Sequence, residues 1–252
     1  MKKYLVILIA VMLMFTLAAC GGSSSESSSD ESSDKQAETA EAEEEKEEPA
    51  EEVHPYAWLG LEDMPECEYL DILATNHYIR KFDEYIDGLS YVDERIEAAD
   101  GLDTFKEDKY NKIYVIDGKT TVINKDAKTY VENDLGGLTD AAEDTTKEAM
   151  EKGTNISGRA FREKGKGVVP VQTDDKDEYE YYEYNYPDFE KDSDNSSIER
   201  FYMKDGDVYA IYKKITMGDT VVETTEMIKK ISGDIPDDTF KLPDLSDYKK
   251  ND

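Results

Sequence analysis

The sequence predicts an α+β fold in which an antiparallel sheet of hairpins packs on one main helix. Three observations carry this. Asp117-Gly118 and Asp205-Gly206 each lie between two β-prone runs, the strongest short-range hairpin signal. Residues 138–152 contain no Gly or Pro, set Leu138, Ala141, Ala142, Thr145, Ala149 and Met150 on one face, and are closed by Gly153, as a helix is. Residues 179–186 carry tyrosines on both parities, which predicts a bulge or a strand covered on both sides.

Residues 1–19 read as a lipoprotein signal peptide. Lys2 and Lys3 precede an apolar run over residues 4–19 that only Thr16 interrupts, and Cys20 follows. The run is shorter than the roughly 20 apolar residues needed to cross a bilayer. Leu17-Ala18-Ala19-Cys20, followed by Gly21-Gly22, resembles the lipobox of bacterial lipoproteins. That resemblance implies a diacylglycerol on the Cys20 thiol, cleavage before it, and a protein held by this lipid on the outer, extracytoplasmic face of the plasma membrane. Two acyl chains anchor stably where one binds marginally.

Residues 20–52 comprise the lipidated cysteine and an acidic tether. Thirteen acidic residues stand there against Lys35 and Lys46, with no aromatic side chain. Such a segment cannot offset its ordering entropy and is expected to be disordered. Residues 53–252 are expected to form a single globular domain, long enough for a real core.

Within the domain, residues 53–73 read as a packed lead-in around Trp58, with a short helix at residues 66–73. Residues 76–86 read as a strand. Ile72, Thr75, Ile79, Phe82 and Ile86 also fit helical spacing, but Tyr78, Phe82 and Ile86 share a strand face and Asp87-Gly88 reads as a turn. Strands are expected at residues 112–116, 120–123 and 129–131, then the helix. A second set follows at residues 155–164, 179–186, 198–204, 208–217 and 220–231. Gly165-Lys166-Gly167 reads as a turn between two of them.

From residue 53 onward, 47 acidic residues face 26 basic ones, a net charge of −21. That charge argues against nucleic acid as a partner and against direct docking on anionic lipid. With Cys20 lipidated, Cys67 has no intramolecular partner, so the fold is not disulfide-stapled and Cys67 reads as an inert, half-buried residue. The only histidines, His54 and His77, come without a serine or cysteine pattern, and no His/Cys cluster has metal-ligand spacing. Asp192-Ser193-Asp194-Asn195-Ser196 begins like a calcium loop, but Ser197 replaces the glycine and Met203 the closing glutamate. Among so many carboxylates no glycosidase pair stands out. No catalytic residue, cofactor or metal is expected.

Tyrosine-rich strands, repeated Asp-Gly hairpins, and a last strand leading into Ile235-Pro236-Asp237-Asp238-Thr239-Phe240-Lys241-Leu242-Pro243 resemble the LolA/LppX-type envelope lipoproteins, their Firmicute relatives included. The resemblance spans residues 69–244 as a pattern of elements and is most specific over residues 201–243. It implies a long, curved antiparallel sheet wrapped around a helix as a half-barrel with an apolar cavity, in which some members ferry lipids or lipoproteins. Residues 138–152 would be the helix on the concave face. Members that carry lipoproteins between membranes are usually soluble, whereas this chain is expected to be anchored.

The expected function is non-enzymatic binding of a lipid-like or other apolar ligand. Candidate cavity-lining residues are Tyr78, Phe82, Ile113, Val115, Tyr209, Ile211 and Ile228. The alternatives are a structural or protein-interaction domain with a closed core, meeting an envelope protein, and a cation-responsive acidic surface protein. Replacing the anchor residue, Cys20→Ser, is expected to abolish incorporation of labelled fatty acid and to release the protein from the membrane fraction. Retention of the label would sink the lipobox reading.

Overall fold

The computed structural model describes residues 53–87, 90–134, 138–171, 175–192 and 194–251. The signal peptide, Cys20, the tether and Gly88 lie outside them. Twelve strands make one sheet: β1 (His77–Ile86), β2 (Ser90–Asp100), β3 (Asp103–Glu107), β4 (Asn111–Ile116), β5 (Lys119–Asn124), β6 (Thr129–Asp134), β7 (Ala160–Val168), β8 (Glu178–Asn185), β9 (Asn195–Lys204), β10 (Asp207–Met217), β11 (Thr220–Ser232) and β12 (Lys249–Lys250). Two helices accompany them, α1 (Glu68–Ala74) and α2 (Leu138–Lys152).

The strand order is β12-β6-β5-β4-β3-β2-β1-β11-β10-β9-β8-β7. The chain therefore enters the sheet at its middle and meanders to one edge. It crosses through α2 to the other edge and meanders back until β11 pairs with β1. All pairings are antiparallel except β12 on β6. The result is α+β, a large curved open sheet. Both expected Asp-Gly hairpins form, with positive φ at Asp117, Gly118, Asp205 and Gly206, as the tight primed turn requires.

The sheet is covered on both faces. On one, a strap of residues 56–74, which includes α1, buries Tyr56, Leu61, Met64, Tyr69 and Leu70 against Tyr182, Tyr184, Phe201, Met203 and Ile211. On the other, Val169 and Val171 cover Tyr179, Tyr181, Tyr202 and Tyr212. The same outer face of β1–β6 packs Ala98, Phe105, Tyr114 and Ile123 beneath Phe240, Leu245 and Tyr248 of the C-terminal arm. Strand β8 is thus covered on both sides, which accounts for tyrosines on both parities. The nearby register shift falls in β7, between Phe161 and Glu163, rather than in β8.

The strand expected at residues 76–86 forms as β1, from His77 to Ile86, and the helical spacing noted there has no counterpart. The structure corrects other local readings. Strands β2 and β3 occupy residues left unassigned by the sequence, where charged side chains mask the alternation. Residues 235–243, into which the last long strand leads, are turns and irregular chain, and the sheet gains a further short strand, β12. The expected strand at residues 155–164 begins only at Ala160 and runs straight through Gly165-Lys166-Gly167, which is no turn. The cause is the cross-strand partner: Gly165 faces Tyr181, and a Cβ on Gly165 would lie 2.5 Å from the Tyr181 ring. The phenol takes the space a side chain would fill and hydrogen-bonds Glu163 Oε1 at 3.0 Å, so an edge glycine is rescued by an aromatic neighbour. Gly165→Ala is expected to lower stability by about 1–3 kcal/mol through overpacking, read as a lower denaturant midpoint. An unchanged midpoint would show that Tyr181 leaves the edge at no cost.

Candidate binding face

Six of the seven candidate lining residues fall on the strap-bearing face, all but Tyr209. Antiparallel register fixes who shares it. Arg80 hydrogen-bonds Tyr69 of α1 through Nη1 at 2.8 Å, so Arg80 points to this face. One cross-strand row then reads Arg80, Glu97, Lys106, Ile113, Val122, Val131 from β1 to β6. The row is charged in the middle of the sheet and apolar toward the β6 edge.

The charged part belongs to a ladder of ion pairs. Arg80 donates to Glu226 Oε2 at 2.9 Å and to Glu97 Oε2 from Nε at 3.0 Å. Lys213 donates to Glu226 Oε1 at 3.0 Å and lies 3.7 Å from Glu199 Oε1. Arg159 grips Glu199 from Nε at 2.6 Å and Nη2 at 3.3 Å, while Tyr186 donates to Glu199 Oε2 at 2.8 Å. Lys106 closes the far end, 3.4 Å from Glu97. Arg159 also donates from Nη1 to the Leu59 carbonyl at 3.1 Å. The ladder therefore holds the strap at two places, Leu59 and Tyr69.

Arg80, Glu226 and Glu199 are buried, Glu199 only 1% exposed, and the other charged members are half-buried. Burial pushes the Glu199 carboxyl up, but Arg159 and Lys213 outweigh it and hold it down to about 2. Burial likewise opposes the charge of Glu97, yet Arg80 and Lys106 keep it well below the carboxylate range. Burial lowers and Glu226 and Glu199 raise the Lys213 ammonium, with a net upward shift. Every charged member has a partner of opposite sign, the condition under which a buried network is tolerated.

The candidate lining residues scatter across this architecture. Ile211 is buried in the strap cluster, and Ile228 packs partly buried against it. Phe82 is buried on the same face beneath the Arg80 guanidinium, whose Cζ stands 4.7 Å from the ring centroid. Tyr78 is half-buried on that face, and Ile113 and Val115 lie half-buried on the apolar flank. Tyr209 packs on the opposite face with Tyr179, at a ring separation of 5.0 Å, because a register shift between Val208 and Ala210 re-aims it. The seven do not converge on one cavity.

Sequence reasoning missed the ladder. A signal was present: Glu199 lies two residues before Phe201, Lys213 two after Ile211, and Glu226 two before Ile228, so each has the inward parity of a core residue.

Two clefts are formed elsewhere. One of about 440 Å³ lies on the outer face between β4–β6 and the C-terminal arm, lined by Tyr114, Ile116, Asp117, Glu132 and Leu242 among others. Another of about 190 Å³ separates α2 from the loops at His77 and Gly101. His77 pairs with Asp100 at 2.9 Å beside it. His54 sits in the lead-in, its Nδ1 3.3 Å from the Tyr56 amide. Cys67 is buried at the N-cap of α1, and burial pushes its thiol up to about 11. Among the described residues no group of three or more His, Cys, Asp or Glu is placed to hold a metal, and no helix is long and apolar enough to cross a membrane. Asp192 ends a 3-10 turn and Asn195 starts β9, while Ser193 between them lies outside the described residues.

No protein-family model matches the sequence, and no match is found among the curated proteins.

Because the depressed Glu199 carboxyl binds fewer protons than in the unfolded chain, its contribution is complete above the ordinary carboxylate value of about 4.3 and is lost as pH falls toward 2. Glu199→Gln is expected to destabilise the domain by about 3–5 kcal/mol at neutral pH by leaving Arg159 uncompensated. The same variant should flatten the loss of stability between pH of about 5 and 2, followed by urea melts. An acid limb as steep as in the parent protein would remove Glu199 from the acid-sensitive group.

Proposed function

We propose that this chain is a lipid-anchored, extracytoplasmic, non-enzymatic lipoprotein with a LolA-like half-barrel whose trough is occupied by its own strap, and that it works as a protein-interaction domain. One observation carries the choice over a carrier of apolar cargo: the strap of residues 56–74 seals Ile211 and its neighbours into a core, and a charged ladder crosses the floor beside it. A lipid chain gains nothing from a surface of matched ions. The topology supports the half-barrel reading, since β1 starts mid-sheet, a helix crosses between the two edges, and β11 returns to pair with β1.

The carrier reading keeps one specific support. Ile113, Val115, Val122 and Val131 form a half-buried apolar patch on the β4–β6 flank of the same face. An acyl chain fits there better than beside the ladder.

Native mass spectrometry of the full chain, released from membranes in detergent and compared with a denatured aliquot, separates the two. A bare mass for the anchored chain supports the interaction domain. An additional lipid-sized mass lost on denaturation overturns it in favour of the carrier.

A further inference from the structure

We propose that the outer edge of β7 docks an extended acidic segment of another polypeptide as an added strand. This deepens the interaction-domain reading and rests on it.

Strand β7 ends the sheet, and no strand lies beyond it among the described residues. Its pairing with β8 is regular from Glu163 to Val168 after the shift at Phe161, a length suited to strand addition. The opposite edge shows how this sheet caps itself. There β6 carries Glu132, and the Lys249–Lys250 strand of the C-terminal arm lies along it with Lys250 Nζ 2.5 Å from Glu132. An acidic edge has taken a basic strand.

At β7 the polarity is reversed. Arg162, Lys164 and Lys166 are exposed on a domain whose net charge is −21. Arg162 and Lys164 reach back to Glu183 at 3.6 Å and Glu180 at 2.8 Å, both with about half of their side-chain surface still in water. Register puts Phe161, Lys164, Lys166 and Val168 on the strap-bearing face, opposite Tyr184, Tyr182, Glu180 and Glu178. Phe161 and Val168 are exposed at 41% and 40%, so two apolar seats bracket the basic run. Between them Gly165 and Gly167 present no side chain on the other face, where Tyr181 leans over the strand. Edge lysines make the addition of a strand without counter-charges costly, because their ammonium groups lose water unpaired, and so guard against aggregation. The same lysines admit a strand that brings carboxylates, which selects the partner by charge.

The test uses the purified full chain and a short synthetic peptide of alternating Glu and Val, with a Lys-Val peptide as control, read by amide hydrogen exchange. The expected result is protection of residues 163–168 by the Glu-Val peptide alone, weakening as salt rises. The double variant Lys164→Glu/Lys166→Glu, checked for native circular dichroism, should raise the apparent Kd by about tenfold or more. Absence of protection, equal protection by the Lys-Val peptide, or no effect of the double variant overturns the proposal. Such a failure alongside a bare native mass moves the interaction surface off β7, whereas a bound lipid in the native spectrum removes the interaction-domain reading itself.

Discussion

The seam between β1 and β11 is the constraint on which the sheet depends. The first and last long strands meet there, paired from Ile79 opposite Ser232 to Ile86 opposite Thr224 with one register shift between Lys81 and Phe82. Without that pairing the two meanders are separate open sheets joined only by α2. Pairing strands this far apart in sequence incurs loop-closure entropy before any contact offsets it. Arg80 and Glu226 bridge the seam inside the protein, 2.9 Å apart and 146 residues apart in the chain. An ion pair at such a place contributes less to net stability than to choosing a register: a slip of one residue in either strand would carry that strand's charge to the outer face and leave the other buried without its partner.

Once the seam is set, the strap has a floor to lie on. Its apolar side chains pack on β8–β11, and its polar contacts reach the ladder at Leu59 and Tyr69. The two kinds of contact differ in range and direction. Apolar packing tolerates small displacement, while the Arg159 fork on Glu199 and the Leu59 carbonyl does not. Together they turn a sheet face that could have stayed open into an interior, and they leave the apolar patch near β6 as the part of that face without buried ions.

Much of the sheet was legible in the sequence, for local physical reasons. The Asp-Gly turns, the uninterrupted helix at residues 138–152 and the alternation in β9–β11 each need only a few neighbouring residues to be read. What was not legible depends on partners distant in the chain. Gly165 looks like a turn until Tyr181 is placed over it, and Ser90–Asp100 looks like solvated chain until its charges find Arg80, Lys106 and Lys229 across the sheet. The candidate site was read least well. Parity predicted that Ile211 and Phe82 point inward, but parity cannot distinguish a cavity wall from a core sealed by residues 56–74, and a single register shift sends Tyr209 to the other face.

Cys67 illustrates a consequence of the strap in a different chemistry. Its thiol is buried between the strap and the sheet, and that burial pushes it up to about 11, so the reactive thiolate is scarce at neutral pH. Such burial keeps the Cys67 thiol out of thiol–disulfide exchange while the strap stays in place. Only chains in which α1 has lifted from the sheet react, and the alkylation rate of Cys67 becomes a clock for that opening.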